Sequence, residues 1–380
     1  MRPLLVASDV HLSHGGSGAT SRALAELVRQ SGGHELILAG DIFNLSLDAP
    51  SRSAVESVVS MFAEHSELAA ALGSHLGAGG ALTLIAGNHD AAGMVPGLRD
   101  ALLARFQVGS QAELCVTPWF VRRGKVHVEH GHFYDPDNAP AHPLVAWSPE
   151  TEALGVAITR RFLRQHDAFD FAHAYETTPL AGLSRAIKLF GARTPLMIAR
   201  WFSVASKLCT EARNPRRFDA ERSTGAERSA SFATDAGLDP AMVLALLAAG
   251  PQPTHGDFGA TFMRLYNDRV LATLGLLSGG AARLLVKSRA GSALAMASAL
   301  YMLASVARLG NRYEALPVQR LRRAAQRVRE LSGAEMVIFG HTHVEDQALG
   351  YLNSGSFCYG RARRPYVYVD ERGNAERRYA

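Results

Sequence analysis

The sequence predicts an α/β layered fold interrupted by a large helical insertion, and three observations carry that prediction. Short apolar runs alternate with stretches of helical periodicity as far as residue 140. Residues 141–333 hold few strand-like runs and several of helical periodicity, interrupted by a polar stretch. Strand-like runs then resume over 334–380. Strands alternating with helices imply a sheet layered against helices.

The elements follow in order. Residues 4–10 read as a strand closed by Ser13-His14-Gly15-Gly16, and 21–30 as a helix. Residues 36–39 form a second strand ending at Gly40-Asp41, and 51–72 a long helical segment. Residues 82–86 form a third strand ending at Gly87-Asn88, and 125–129 alternate up to His130. Within the insertion, helical spacing covers 152–164, 180–190, 195–208, 240–248, 258–277, 281–309 and 318–331. The polar stretch 210–237, with Arg213, Arg216, Arg217, Arg222 and Arg228, reads as a flexible loop. Residues 335–339 run as a strand into Gly340-His341, and 351–356 and 366–369 close the fold. Both ends of the insertion must meet one sheet, so it is expected to fold back as a cap.

Composition sets outer bounds. The chain has 380 residues, 47% of them hydrophobic, enough for one large or two ordinary cores. The net charge is +5, and only Lys125, Lys188, Lys207 and Lys287 among its 40 basic residues are lysines. That balance suits a phosphate-bearing substrate or an anionic membrane surface. Cys115, Cys209 and Cys358 form no CxxC pair, which points to a reducing compartment and a cytoplasmic location. The apolar residues 4–6 lead straight into Asp9 and His11, which argues against a cleaved leader. Residues 290–307 are uncharged but dominated by Ala and Ser, and read as a buried helix rather than a membrane span. The apolar stretches 196–208 and 294–306 likewise read as core helices of the insertion. Peripheral membrane contact is left open.

Five motifs carry the chemistry: Asp9-Val10-His11, Gly40-Asp41-Ile42-Phe43-Asn44, Gly87-Asn88-His89-Asp90, His130-Gly131-His132 and Gly340-His341-Thr342-His343. Asp, Asn and His offer oxygen and imidazole ligands to divalent Mn, Fe or Zn. Most of the motifs end an apolar run, and in α/β sheets the ends of strands are where sites collect. Two cations about 3.5–4 Å apart can clamp the attacking and leaving oxygens of a phosphoryl displacement. Asp41 is the choice for a bridging carboxylate. Asp9 and His11 can reach one cation if the strand bends between them, and His341 and His343 can divide between the two. A shared water, deprotonated near neutral pH, would be the nucleophile. His89 is placed to protonate the leaving oxygen or hold the phosphate, with Asp90 orienting its imidazole. Asn44 and His132 are candidate substrate contacts.

Residues 1–135 and 334–370, with these motifs, resemble the calcineurin-like metallophosphoesterase superfamily. The resemblance implies a β-sandwich flanked by helices, a dinuclear metal centre and phosphoester hydrolysis. It implies Asp9, His11, Asp41 and His343 on the first cation, and Asp41, Asn88, His130 and His341 on the second. His89 is then the catalytic histidine. Asn44 stands where many members carry Asp or another polar group. The place of the insertion resembles the acyl-holding cap of UDP-2,3-diacylglucosamine hydrolases, although those enzymes commonly have Arg at the position of His89 and a far shorter cap. The expected partner is a phosphorylated small molecule or lipid-linked substrate. A nuclease on the same metal core is the alternative, disfavoured by the lack of a basic stripe with interleaved aromatics. A scaffold that had lost its chemistry would not need all seven ligands.

Overall fold

The computed structural model describes residues 1–47, 53–91, 95–146, 148–166, 179–214, 216–309, 316–359 and 363–380. The strands are β1 (Leu4–Ala7), β2 (Glu35–Ala39), β3 (Ala81–Ile85), β4 (Glu113–Thr117), β5 (Phe120–Arg123), β6 (Val126–Glu129), β7 (Met336–Phe339), β8 (Glu345–Ala348), β9 (Tyr351–Ser354), β10 (Pro365–Val369) and β11 (Ala375–Tyr379). They form one sheet of order β11-β10-β1-β2-β3-β4 and a second of order β5-β6-β7-β9-β8. β1 to β4 run parallel, as do β6, β7 and β9. The outer strands β10, β11, β5 and β8 pair antiparallel.

Strand periodicity of two explains the layering. In β1, Leu4 and Val6 face the apolar layer between the sheets, where they meet Val126, Val128, Ile338 and Leu352. Leu5 and Ala7 face the other way, onto a helical layer that includes Leu24, Val28, Phe62 and Leu72. β2 repeats the division, with Ile37 and Ala39 inward and Leu36 and Leu38 outward. Burial on both faces is why these runs are apolar throughout rather than alternating. The helix Ala54–Glu64 starts with a capping box, in which Ser53 and Glu56 satisfy each other's backbone N–H.

The chain divides into two compact units. The first comprises Met1–Val156, Phe218–Pro253 and Pro317–Ala380, and the second Ala157–Arg217 and Thr254–Leu316. The boundaries at 141 and 333 expected from sequence therefore do not coincide with this division. Residues 141–156, 218–253 and 317–333 belong with the sheets. Ala233, Val243, Leu246, Leu321, Ala325 and Val328 cover the outer face of the second sheet against Phe120, Val337, Phe339 and Tyr351. The first unit is thus two sheets with helices on both outer faces, the expected β-sandwich flanked by helices.

Two further expectations are corrected. The stretch read as a flexible loop over 210–237 carries a helix, Asp219–Asp235. The uncharged run 290–307, read as buried, lies in a helix largely exposed to solvent, with 17% of its apolar window buried. In the second unit this helix, Arg289–Leu309, pairs with Asn267–Val286 as a hairpin whose turn passes through Lys287 at φ 51°.

Ile37 is fully buried between the sheets. Ile37→Ala should destabilise the protein by about 2–5 kcal/mol, because the cavity adds to the lost transfer energy. Chemical denaturation measures it, and a loss under about 1 kcal/mol would contradict the packing described.

Candidate metal centre

The five motifs meet at the ends of β1, β2, β3, β6 and β7. The segment after β1 runs beside the segment after β2, through Asp9 N to Gly40 O (3.1 Å), His11 N to Asp41 O (2.9 Å) and Leu12 N to Ile42 O (2.8 Å). Gly340 N donates to His130 O at 3.0 Å, which joins the last two motifs. Asn353, within β9, donates its Nδ2 to Gly340 O at 2.6 Å. The glycine before Asn88 has a steric reason: a Cβ at Gly87 would collide with Asp41.

The backbone at the donors is unusual. Asp9, His11, Asp41, His341 and His343 all have positive φ, between 49° and 71°. Left-handed backbone costs a non-glycine residue roughly 1–2 kcal/mol. Such conformations persist where the surroundings over-determine them, and they cluster at functional sites. Here they break the extended repeat, which lets Asp9 and His11 serve one point.

Two sets of donors converge: Asp9, His11 and His343, and Asp9, Asp41 and His130. In the first, His343 Nε2 lies 3.1 Å from Asp9 Oδ1 and 3.2 Å from His11 Nε2, while His11 Nε2 lies 4.0 Å from Asp9 Oδ1. In the second, His130 Nε2 lies 3.3 Å from Asp41 Oδ2. Asp9 is common to both sets, and Asp41 Oδ2 lies 4.0 Å from His11 Nε2 of the first. Donors about 2.1 Å from a shared cation lie roughly 3.0–3.5 Å apart when adjacent. Asp9 Oδ1 and His130 Nε2 are buried and make no hydrogen bond, despite these close approaches. Side chains arranged to bond one another would align; these are arranged around points between them. The residues fit a pair of divalent cations.

The other expected ligands lie close by. His341's ring is 5.2 Å from that of His130, and its Nε2 lies 3.0 Å from Asp135 Oδ2. Asn88 donates Nδ2 to Asn138 Oδ1 at 3.3 Å, which fixes the orientation of its amide. His341 is not among the converging sets of the described residues. His132 is buried beside the rings of His130 and His341, and its 3% exposure gives a substrate little to touch.

Two expected roles change. Asp90 does not orient His89. Its Oδ1 accepts from Gly87 N at 2.6 Å, and its Oδ2 from Ile42 N at 2.6 Å and Phe43 N at 3.2 Å. It fastens the Asp41 loop to the Asn88 turn. Burial, with Asp41 nearby, pushes its pKa up to about 7. Asn44, expected to touch substrate, instead accepts from Ser46 Oγ through its Oδ1 at 2.6 Å. Ser46 Oγ is in turn 2.9 Å from His89 Nδ1. Ser46 therefore takes the position expected of Asp90. Ser46, Asp135, Asn138 and Tyr359, whose ring lies 5.0 Å from that of His343, carry no motif that sequence could read.

The electrostatics agree with cation binding. Burial pushes His11 down to about 3, which keeps it neutral and able to ligate. Burial would also lower His130, but Asp41 and Asp9 outweigh it and hold the ring up at about 9. Burial would raise Asp41, yet His130 and His89 draw it well below the usual carboxylate range. Without cations, a protonated His130 supplies the positive charge the carboxylates need. A metal must displace that proton. Adding Mn²⁺ to metal-free protein at pH 7.5 in weak buffer should release about one proton per chain, and affinity should fall about tenfold per pH unit below 9. Binding with no proton release would contradict this.

A family model described as calcineurin-like phosphoesterase matches residues 2–201, which include Asp9, His11, Asp41, Asn88, His89 and His130. His341 and His343 lie beyond the matched segment and reach the site through β7. No curated protein matches the chain. With that match over more than half its length and two converging donor sets, the chain belongs to the calcineurin-like phosphoesterases, a family of metal-dependent hydrolases of phosphoester bonds.

Proposed function

We propose that this phosphoesterase cleaves a phosphodiester or pyrophosphate bond in a nucleotide- or lipid-linked substrate, with manganese as the first choice of cation and iron or zinc as alternates. Asp9, His11, Asp41 and His343 would hold one cation, and Asp41, Asn88, His130 and His341 the other. When bound, the pair supplies Lewis-acid stabilisation of the phosphoryl group and an activated water.

The observation that carries the reading is the setting of His89. Its backbone N–H donates to Asp41 Oδ1 at 2.8 Å, which fixes it beside the bridging carboxylate. Its ring lies 5.4 Å from that of His11. Ser46 Oγ donates to Asn44 and so can accept from His89 Nδ1–H. That assigns the proton to Nδ1 and leaves Nε2 as the nitrogen that exchanges a proton with substrate. Burial lowers the pKa of His89 in the free protein. An anionic phosphate docked beside it favours the imidazolium and opposes that shift. A diester or pyrophosphate with a basic leaving oxygen needs that proton; a nitrophenolate does not.

With Mn²⁺, the protein should hydrolyse a generic bis-aryl phosphodiester. His89→Ala should lower kcat by roughly 10²-fold or more for an alkyl leaving group, and by clearly less for 4-nitrophenolate. Equal losses would remove His89 from the proton transfer. No turnover with any divalent cation would sink the reading.

A further inference from the structure

The hairpin of Asn267–Val286 and Arg289–Leu309 is packed inside out for a water-soluble element. Its contact face is made of small residues. A Cβ on Gly279 would lie 2.6 Å from Gly291 O and 2.7 Å from Ala295 N, and one on Gly291 would lie 2.8 Å from Ala282 Cβ. A Cβ on Gly275 would collide with Ser298. Gly275 and Gly279 are four residues apart, the small-xxx-small spacing that lets helix backbones approach closely in lipid.

The large apolar side chains point outward. Leu277 is 64% exposed, Leu284 82%, Leu285 83% and Leu303 66%. At about 100° per residue, Ala272, Gly275, Gly279 and Ala282 occupy an arc of roughly 80°. On the same wheel, Leu271, Leu274, Leu276, Leu277, Leu284 and Leu285 spread over about 220°. A partner helix would need one stripe. An arc this wide suits a solvent that surrounds the helices.

Length and charge name that solvent. Both helices pass the length and hydropathy requirements for a membrane span, yet only 11% and 17% of their apolar windows are buried. The uncharged run 290–307 would extend about 27 Å as helix, close to the hydrocarbon thickness of roughly 30 Å. The polar groups sit at the ends. At the base, Tyr301 Oη donates to Asp268 at 2.6 Å, and Arg269 donates to Ser305 Oγ and Ser305 O, both at 3.1 Å. At the turn lie Arg283, Lys287 and Arg289, with no acid among residues 269–309 to offset them. Basic groups at the end of an apolar hairpin match anionic headgroups.

We propose that this hairpin inserts into an anionic lipid bilayer and tethers the enzyme to it. The proposal is independent of the substrate reading above. Full-length protein purified in mild detergent would be mixed with vesicles of phosphatidylcholine and phosphatidylglycerol and floated on a density gradient. The native chain should float, and more weakly on pure phosphatidylcholine. Leu277→Asp should lower vesicle partitioning by about 100-fold, while Mn²⁺-dependent hydrolysis of a soluble substrate stays unchanged. Indole fluorescence gained in the Leu277→Trp variant should be quenched by acyl-brominated lipid, a readout that does not depend on disrupting the hairpin. Native protein that stays at the bottom of the gradient, no such quenching in the Leu277→Trp variant, or a lipid-indifferent dimer dissociated by Leu277→Asp would each overturn the proposal.

Discussion

Two carboxylates, Asp9 and Asp41, are buried to within 1% of full exclusion from solvent at the end of an apolar sandwich, within reach of the same imidazoles. Negative charge at that depth is tolerable only if positive charge lies between or beside it. In the free chain, a protonated His130 meets that need. In the loaded protein, cations do. The geometry around the two acids follows from this. His11 is kept neutral by burial, Asp9 belongs to both donor sets, and Asp41 Oδ2 lies 4.0 Å from His11 Nε2 of the first.

The constraint reaches into the backbone. Five donors hold left-handed conformations that a strand would not adopt. They are kept there by the loop pairing between 9–12 and 40–44, by Phe357 N on Ser8 O at 3.1 Å, and by Cys358 N on Asp9 O at 3.0 Å. Asp90 does the same from the other side, with three backbone N–H groups on one carboxylate. The strands supply rigidity, and the turns at their ends supply direction. A catalytic site built this way is placed by the sheet and strained by its loops.

Much of this is legible in the sequence, because the donors sit where apolar runs stop, and those runs are the strands. What is hidden has physical reasons. The helix Asp219–Asp235 buries Gly225, Ser229 and Ala233 at spacing four. Side chains that small leave no apolar periodicity, so the segment resembles a loop. Asp90 follows His89 directly and resembles its orienting partner, but its carboxylate turns to the backbone of another loop. Ser46 has no signature at all; only the fold brings it to His89. The uncharged run 290–307 is misleading because Ala and Ser lower its hydropathy, and only the structure displays that the small residues face inward and the leucines out.

The central claim is that these buried donors surround a pair of cations. Anomalous diffraction from crystals grown with Mn²⁺, collected at the manganese edge, tests it directly. The account predicts two peaks about 3.5–4 Å apart, with Asp41 Oδ2 between them, Asp9, His11 and His343 on one and His130 on the other. A single peak away from Asp41, or none, would contradict it.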